Sequence, residues 1–252
     1  MILVVAGTAD GRELARAIQA DGCQVLLSTA TEYGEELAAG TPVRSGVLDE
    51  SGFTRLLEEY QVKALVDASH PFAANVSQTA IAACRSMGVP YVRFERQATP
   101  VPQNPLIHRV NSYAEAAEMA GKLGERIFLT IGSNHLPFFV KSEALQGKRL
   151  ICRVLPTPEV LTKCFEIGLT PGDIVAMQGP FGLELNLAML KHYRAQVLVS
   201  KESGPQGGAD AKIQAALELE IPVVLVERPP LAYPAVVQDW PSLKAYLGTV
   251  LR

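Results

Sequence analysis

Aromatic residues are scarce, with Phe, Trp and Tyr making up only 6% of the 252 residues. Basic residues are in no excess either: 23 Lys and Arg stand against 26 Asp and Glu, for a formal charge of −3. A chain built to lie along nucleic acid would carry a basic face, so a small-molecule ligand is the better default. The four cysteines, Cys23, Cys84, Cys152 and Cys164, lie far apart with no CxxC pair, which indicates neither a disulfide framework nor a zinc site. They read as buried thiols in a reducing cytosol. The four histidines lack HxxxH and HxH spacing and no Asp/Glu cluster completes a site, so no metal is expected. Neither GxSxG nor a P-loop lysine is present, which removes support for hydrolase and kinase chemistry. No run approaches the roughly 18 to 20 apolar residues needed to cross a bilayer, and the apolar start at Met1 to Ala6 is too short for a signal peptide. A compact cytoplasmic protein without membrane or nucleic-acid partners is expected, with oligomeric state left open and a monomer the simplest reading.

What is present is a repeated pattern. Short β-branched runs, each followed by turn residues and an Ala/Leu-rich amphipathic stretch, mark βα units around parallel sheets. Strands are expected at Ile2–Ala6, Gln24–Ser28, Ala64–Asp67 and Val89–Arg93, and helices at Asp10–Ala20, Glu32–Ala39, Ser51–Tyr60 with Ser51 as N-cap, and Ala73–Met87. The segment Gln97 to Pro105 holds three prolines and no periodicity, so the chain is expected to change domain there. The pattern then restarts with a helix at Tyr113–Leu123 and strands at Ile127–Ile131, Leu150–Val154, Ile174–Met177, Val197–Ser200 and Val223–Val226. The fold class expected is α/β, with Rossmann-like domains over 1–100 and 106–252, parallel sheets and a cleft between them.

In open parallel sheets ligands bind beyond the carboxyl ends of strands, where loops and helix N-termini converge. Polar and glycine-rich groups follow the strands repeatedly here. Gly7-Thr8-Ala9-Asp10-Gly11-Arg12 is a tight turn into a helix: it suits an anion, or Gly7 permits the turn while Thr8 or Asp10 caps the helix. After the second strand, where a NAD site often offers an acid to the ribose, the chain has Ser28-Thr29-Ala30-Thr31. Asp67-Ala68-Ser69-His70-Pro71-Phe72 places a histidine at a strand end, able to donate to a carboxylate or supply a proton, or else incidental to a helix-capping cluster. Thr130 to His135 follows a strand and opens a helix, a second anion turn. Gln178-Gly179-Pro180-Phe181-Gly182 lets backbone approach a flat ligand. Ser200-Lys201-Glu202-Ser203-Gly204 leads to Lys212 on the next helix, with Lys201 either a point charge for phosphate or carboxylate or a solvated surface lysine.

Taken in order, these motifs resemble the precorrin-6A and cobalt-precorrin-6A reductase family. The resemblance rests on Gly7-Thr8-x-Asp10-x-Arg12-x-Leu14-Ala15, Asp67 to Ala73, Gly132-Ser133, Arg153-Val154-Leu155-Pro156, Gln178 to Phe181, Asn186, Ser200 to Gly204 and Arg228-Pro229. Gly182 stands where the family often has Ser or Thr, and Ser200-Lys201-Glu202 where Thr-Lys-Asp is common. The resemblance implies NADPH or NADH as cofactor, a tetrapyrrole substrate and hydride delivery to one macrocycle double bond. On that footing His70 or Asp10 supplies or relays a proton. Gly132, Ser133, Asn134, Lys201, Ser203 and Gly204 take cofactor phosphates, with Gly7 and Thr8 near the reacting end. Arg12, Ser69, Phe72, Gly179, Phe181 and Lys212 meet the substrate, whose many carboxylates call for distributed cations. A different NAD(P)-dependent α/β oxidoreductase and a two-domain protein closing on a small anion are the alternatives.

Overall fold

The computed structural model describes residues 1–38, 40–95, 102–202 and 209–251. In chain order they form β1 (Ile2–Ala6), α1 (Ala9–Ala20), β2 (Val25–Thr29), α2 (Glu32–Glu36), β3 (Val43–Ser45), α3 (Glu50–Glu59), β4 (Ala64–Ala68), α4 (Ala74–Met87) and β5 (Tyr91–Phe94). There follow β6 (Ile107–Val110), α5 (Tyr113–Leu123), β7 (Arg126–Leu129), α6 (Pro137–Val140), β8 (Arg149–Val154), α7 (Pro158–Glu166), β9 (Ile174–Ala176), α8 (Leu183–His192), β10 (Val197–Lys201), α9 (Ala209–Glu218) and β11 (Val223–Val226). The chain ends with β12 (Val236–Val237) and α10 (Trp240–Val250).

These elements build two parallel six-stranded sheets, ordered β12-β5-β4-β1-β2-β3 and β6-β11-β10-β7-β8-β9. The order is the same in each: three strands wind one way from the first, two wind the other way, and the sixth completes the edge. Each sixth strand follows, in sequence, the fifth strand of the other sheet. Residues 1–97 and 230–252 accordingly form one compact unit and residues 98–229 the other. This corrects the expected second domain of 106–252, because the last 23 residues return to the first unit. β12 pairs with β5, and Leu243 and Leu247 of α10 pack into the core that holds Val92 and Phe94. A two-residue strand and a helix of low amphipathic contrast leave little periodic signal for this return.

Burial explains the central elements. β1 and β4 are buried along their whole length, as strands covered by helices on both faces must be. On one face Leu14, Ala15 and Ile18 of α1 meet Val4 and Val66. On the other, Phe53 and Leu57 of α3 and Ala80 and Ala83 of α4 meet Leu3, Val5 and Leu65. In the second unit Ile213 and Ala216 of α9 and Met189 and Leu190 of α8 pack against Leu198 and Val223.

Local chemistry sets the helix ends. Ser51 is not the cap of α3: the Asp49 carboxylate accepts from Gly52 N–H at 2.7 Å, two residues earlier than expected. Expected over 32–39, α2 ends at Glu36. The segment after β7 opens only a single 3-10 turn at Ser133–His135 and the four-residue α6.

Candidate active site at the strand ends

In each sheet the winding direction reverses beside the first strand, and loops on either side of such a reversal splay apart to leave a crevice. In the first unit the reversal lies between β1 and β4, so its crevice is flanked by Gly7-Thr8 and by Ser69 to Phe72. α1 starts there with Thr8 as cap, the Oγ1 accepting from Gly11 N–H at 3.3 Å. Gly11 is confined: a Cβ on it would lie 2.3 Å from the Ala6 Cβ and 3.2 Å from the Ala68 carbonyl oxygen. Its absent side chain brings the start of α1 down onto β1 and β4. Gly7 is the opposite case. It has no left-handed φ, and a Cβ would meet nothing within 4 Å. The turn therefore does not require glycine there, and the missing atom leaves open space over the loop. Asp10 and Arg12 lie half-buried in the first turn of α1, and Arg12 forms no ion pair with a described residue.

The loop after β4 is held from beneath. Asp67 accepts from Ser69 N–H and Arg93 Nη1, both at 2.9 Å, and from the hydroxyls of Ser77 and Tyr91, both at 2.6 Å. Arg93 also donates to the Ser69 hydroxyl at 3.1 Å and to its carbonyl at 2.9 Å. Ser69 is buried, and its hydroxyl is engaged by Arg93, which fits it for anchoring the loop rather than for the expected contact with substrate. Asp67 and Ser69 form this network instead of capping α4, which has no side-chain cap. His70 and Phe72 are half-buried, with rings 5.8 Å apart. The His70 Nδ1 accepts from Phe72 N–H at 3.1 Å. A backbone N–H can only donate, so the neutral ring carries its proton on Nε2.

Beyond β2 the buried Ser28 and Thr29 meet an arginine rather than an acid. Arg44, in the middle of β3, donates through Nη1 to the Ser28 hydroxyl at 3.2 Å and the Gly46 carbonyl at 2.8 Å, and through Nη2 to the Ser45 carbonyl. No described carboxylate pairs with it.

In the second unit the reversal lies between β7 and β10. A pocket of about 210 Å³ opens there, lined by Gly132, Ser133, Asn134, His135, Leu155 and Lys201 among others. It brings together the two motifs read after β7 and β10. Gly132 adopts φ +82°, which favours glycine. Burial lowers the Lys201 ammonium to about pKa 8. Burial first, then Lys201, lowers His135, whose ring stacks on Tyr113 at 4.0 Å. Ser203 and Gly204 lie outside the described residues.

Gly179 is exposed, and its missing side chain makes room for a ring of its own chain. A Cβ there would come within 3.0 Å of the Phe181 ring, so the space is filled from within the chain. Above that ring lies the Arg153 guanidinium, 4.4 Å from the centroid. Its Nη1 donates to Asn186 Oδ1 at 2.8 Å. The Asn186 amide in turn donates to the carbonyls of Phe181 and Gly182, tying the arginine to the loop. Arg153, Asn186, Arg93 and Arg44 had no assigned role at the level of sequence. A charged residue inside an apolar strand, as in Tyr91-Val92-Arg93-Phe94, was the available signal for the second of these arginines.

Two doubly wound parallel sheets, each with polar residues beside its reversal, define a Rossmann-like α/β protein. The sequence matches the family described as precorrin-6x reductase CbiJ/CobK over residues 1–248, and the chain belongs to that family. It is 40% identical over 235 residues to the cobalt-precorrin-6A reductase of Methanothermobacter thermautotrophicus, covering 90% of this chain and 76% of that one. To the cobalt-precorrin-6A reductase of Priestia megaterium it is 39% identical, covering 92% of each. The solved structure of CobK precorrin-6A reductase superposes with a TM-score of 0.83 at 28% identity, covering 99% of this chain and 96% of that one.

Proposed function

We propose that this protein is a dinucleotide-dependent reductase of cobalt-precorrin-6A in corrin ring synthesis, and that its dinucleotide is NADPH, held by the first unit. The observation that carries the reading is the family match across both sheets. The cobalt-containing substrate is favoured because the relatives at 40% and 39% identity bear its name, whereas the structure named for precorrin-6A stands at 28%.

Three features of the first unit fit a dinucleotide. The loop at Gly7 leaves open space where a bulky ligand can approach backbone. α1 is 12 residues long, so its N-terminus presents the positive end of a helix dipole to a pyrophosphate. The second unit's counterpart runs only from a 3-10 turn into four residues, which favours the first unit over the expected Gly132, Ser133 and Asn134. Third, Arg44 and Ser28 stand where an acid would otherwise bind a ribose 2′-hydroxyl, and an arginine there suits a 2′-phosphate.

The cofactor supplies hydride. Protein groups position the reactants, exclude water and move a proton. His70, with its proton on Nε2, is assigned as donor, and Asp10 across the same crevice as the group that relays or replaces that proton. Arg12 and Phe72 flank them for substrate contact. Anaerobic incubation with NADPH or NADH and either cobalt-precorrin-6A or precorrin-6A tests the reading. Dinucleotide oxidation that depends on the macrocycle, fastest with NADPH and the cobalt form, is expected; folded protein inert with all four pairs overturns it.

A further inference from the structure

Every polar group of Ser69 is bonded to one buried ion pair. Its N–H donates to Asp67 Oδ1 at 2.9 Å, its hydroxyl accepts from Arg93 Nη1 at 3.1 Å, and its carbonyl accepts from Arg93 Nη2 at 2.9 Å. Asp67 is itself held by the hydroxyls of Ser77 and Tyr91. Ser69 is therefore fixed on all sides, and His70 follows it by one peptide bond. A buried ion pair is a poor device for stability alone, since apolar side chains of similar volume often serve as well or better. What an apolar side chain cannot do is grip a loop residue by its backbone.

Arg93 is in turn set by the segment that returns to the first unit. Its N–H donates to the Ala235 carbonyl at 2.8 Å, and β12 pairs with β5 so that Val236 stands opposite Arg93. Tyr233, just before β12, covers the guanidinium, with the Arg93 Cζ 5.4 Å from the centre of its ring. Tyr233 is half-buried and packs against the core that holds Leu65 and Tyr91. The Arg93 Nε is buried without a hydrogen bond to a described residue and stands 3.8 Å from the Glu95 carboxylate. A guanidinium short of a hydrogen bond draws support from an aromatic face, and that attraction grows as water is removed.

We propose that Tyr233 is a positioning residue for the reaction: its ring fixes the Arg93 guanidinium, and Arg93 through Ser69 fixes the loop that presents His70. This rests on the function proposed above, which gives that loop its role. The returning chain then completes the floor of the site as well as the edge of a sheet.

The test is steady-state turnover of cobalt-precorrin-6A with NADPH by folded variants, assayed well below their melting midpoints. Tyr233→Phe keeps the ring and is expected to keep kcat. Tyr233→Leu keeps apolar bulk but loses the ring face; its kcat is expected to fall about threefold to tenfold, with the dinucleotide KM unchanged. Arg93→Lys keeps the charge but cannot span the Ser69 hydroxyl and carbonyl while facing Asp67, and a fall in kcat of about tenfold or more is expected. Adding Tyr233→Leu to Arg93→Lys is expected to slow turnover no further, because the ring acts through the guanidinium. Leu247→Ala, in the core on the other face of the sheet, lowers the melting midpoint and is expected to leave kcat unchanged.

Losses that multiply in the double variant, a normal kcat in Tyr233→Leu, or an equal loss in Leu247→Ala would each overturn the positioning role. If Arg93→Lys does not fold, the Tyr233 and Leu247 variants decide alone. A second readout needs no turnover. The Phe72 N–H bond to Nδ1 places the His70 proton on Nε2, so isotope-labelled histidine, with the signal assigned by its loss in His70→Ala, is expected to show that single tautomer in the wild type and Tyr233→Phe and a mixture in Tyr233→Leu. An unchanged tautomer in Tyr233→Leu counts against the proposal. Wild-type protein inert toward the macrocycle would refute the proposed function instead, and the histidine signal would still decide whether Tyr233 sets the loop.

Discussion

The Arg93 guanidinium lies 2.9 Å from the Asp67 carboxylate, with side chains 1% and 0% exposed, and both are bonded to Ser69, the residue before His70. A fully buried pair of this kind is sustained by its further hydrogen bonds, and here those bonds run to Tyr91, Ser77 and the loop. Removing one partner strands the other. Asp67→Ala is expected to cost about 3–5 kcal/mol in denaturant unfolding. The double change Asp67→Leu with Arg93→Leu recovers much of that stability without recovering turnover, because nothing then holds the Ser69 carbonyl. Turnover restored along with stability would show the pair to be purely structural.

Gly7 and Gly11 are expected to separate ligand binding from packing within one turn. Gly11→Ala places a methyl 2.3 Å from the Ala6 Cβ and is expected to destabilise by about 1–3 kcal/mol. Gly7→Ala, with nothing within 4 Å, leaves the unfolding midpoint unchanged and raises the dinucleotide KM. Equal behaviour of the two variants in both assays would remove the argument for a cofactor over Gly7.

Arg44→Ala is expected to weaken NADPH binding about tenfold and to leave NADH binding unchanged, since only the former carries the 2′-phosphate. Equal losses for both dinucleotides would move the 2′-phosphate elsewhere.

Proton delivery is checked by His70→Ala and Asp10→Asn. Loss of a positioned proton donor slows turnover by about 10²-fold or more. Near-normal rates in both folded variants would assign the proton to water or to the substrate.

Lys212 leaves a mark on the free protein. Its folded pKa of about 7 lies below its ordinary value of 10.5, so between those values the unfolded chain binds more protons. Stability of the wild type therefore rises with pH across that window. Lys212→Met lacks this dependence, and its stability advantage is expected to be greatest below pH 7 and to fade toward 10.5, as measured by thermal melting across pH.

Much of the architecture was legible because buried parallel strands leave unbroken apolar runs and their covering helices a 3.6-residue period. β1 and β11 were read with their observed bounds, as was α5. β3, β6 and β12 were not read: they are partly exposed edge strands, and none carries the unbroken buried apolar run that marked β11. Of the candidate site, the residues that follow strands stood out as polar or glycine-rich interruptions. Arg44, Arg93 and Arg153 did not, because a lone arginine in a strand looks the same whether it points at solvent, at a buried carboxylate or at an aromatic ring.

By itself the amino-acid order determined that this chain would be an α/β protein with its chemistry at strand ends, since periodicity and turn residues are local properties that each segment carries within it. Tertiary structure alone decided which strands became neighbours, that residues 230–252 rejoin the first unit, that Asp67 is matched by Arg93 from 26 residues away, and that Lys212 of α9 is only 4% exposed. Those outcomes depend on how distant segments share one interior, where the cost of burying a charge is set by whatever else has been brought beside it.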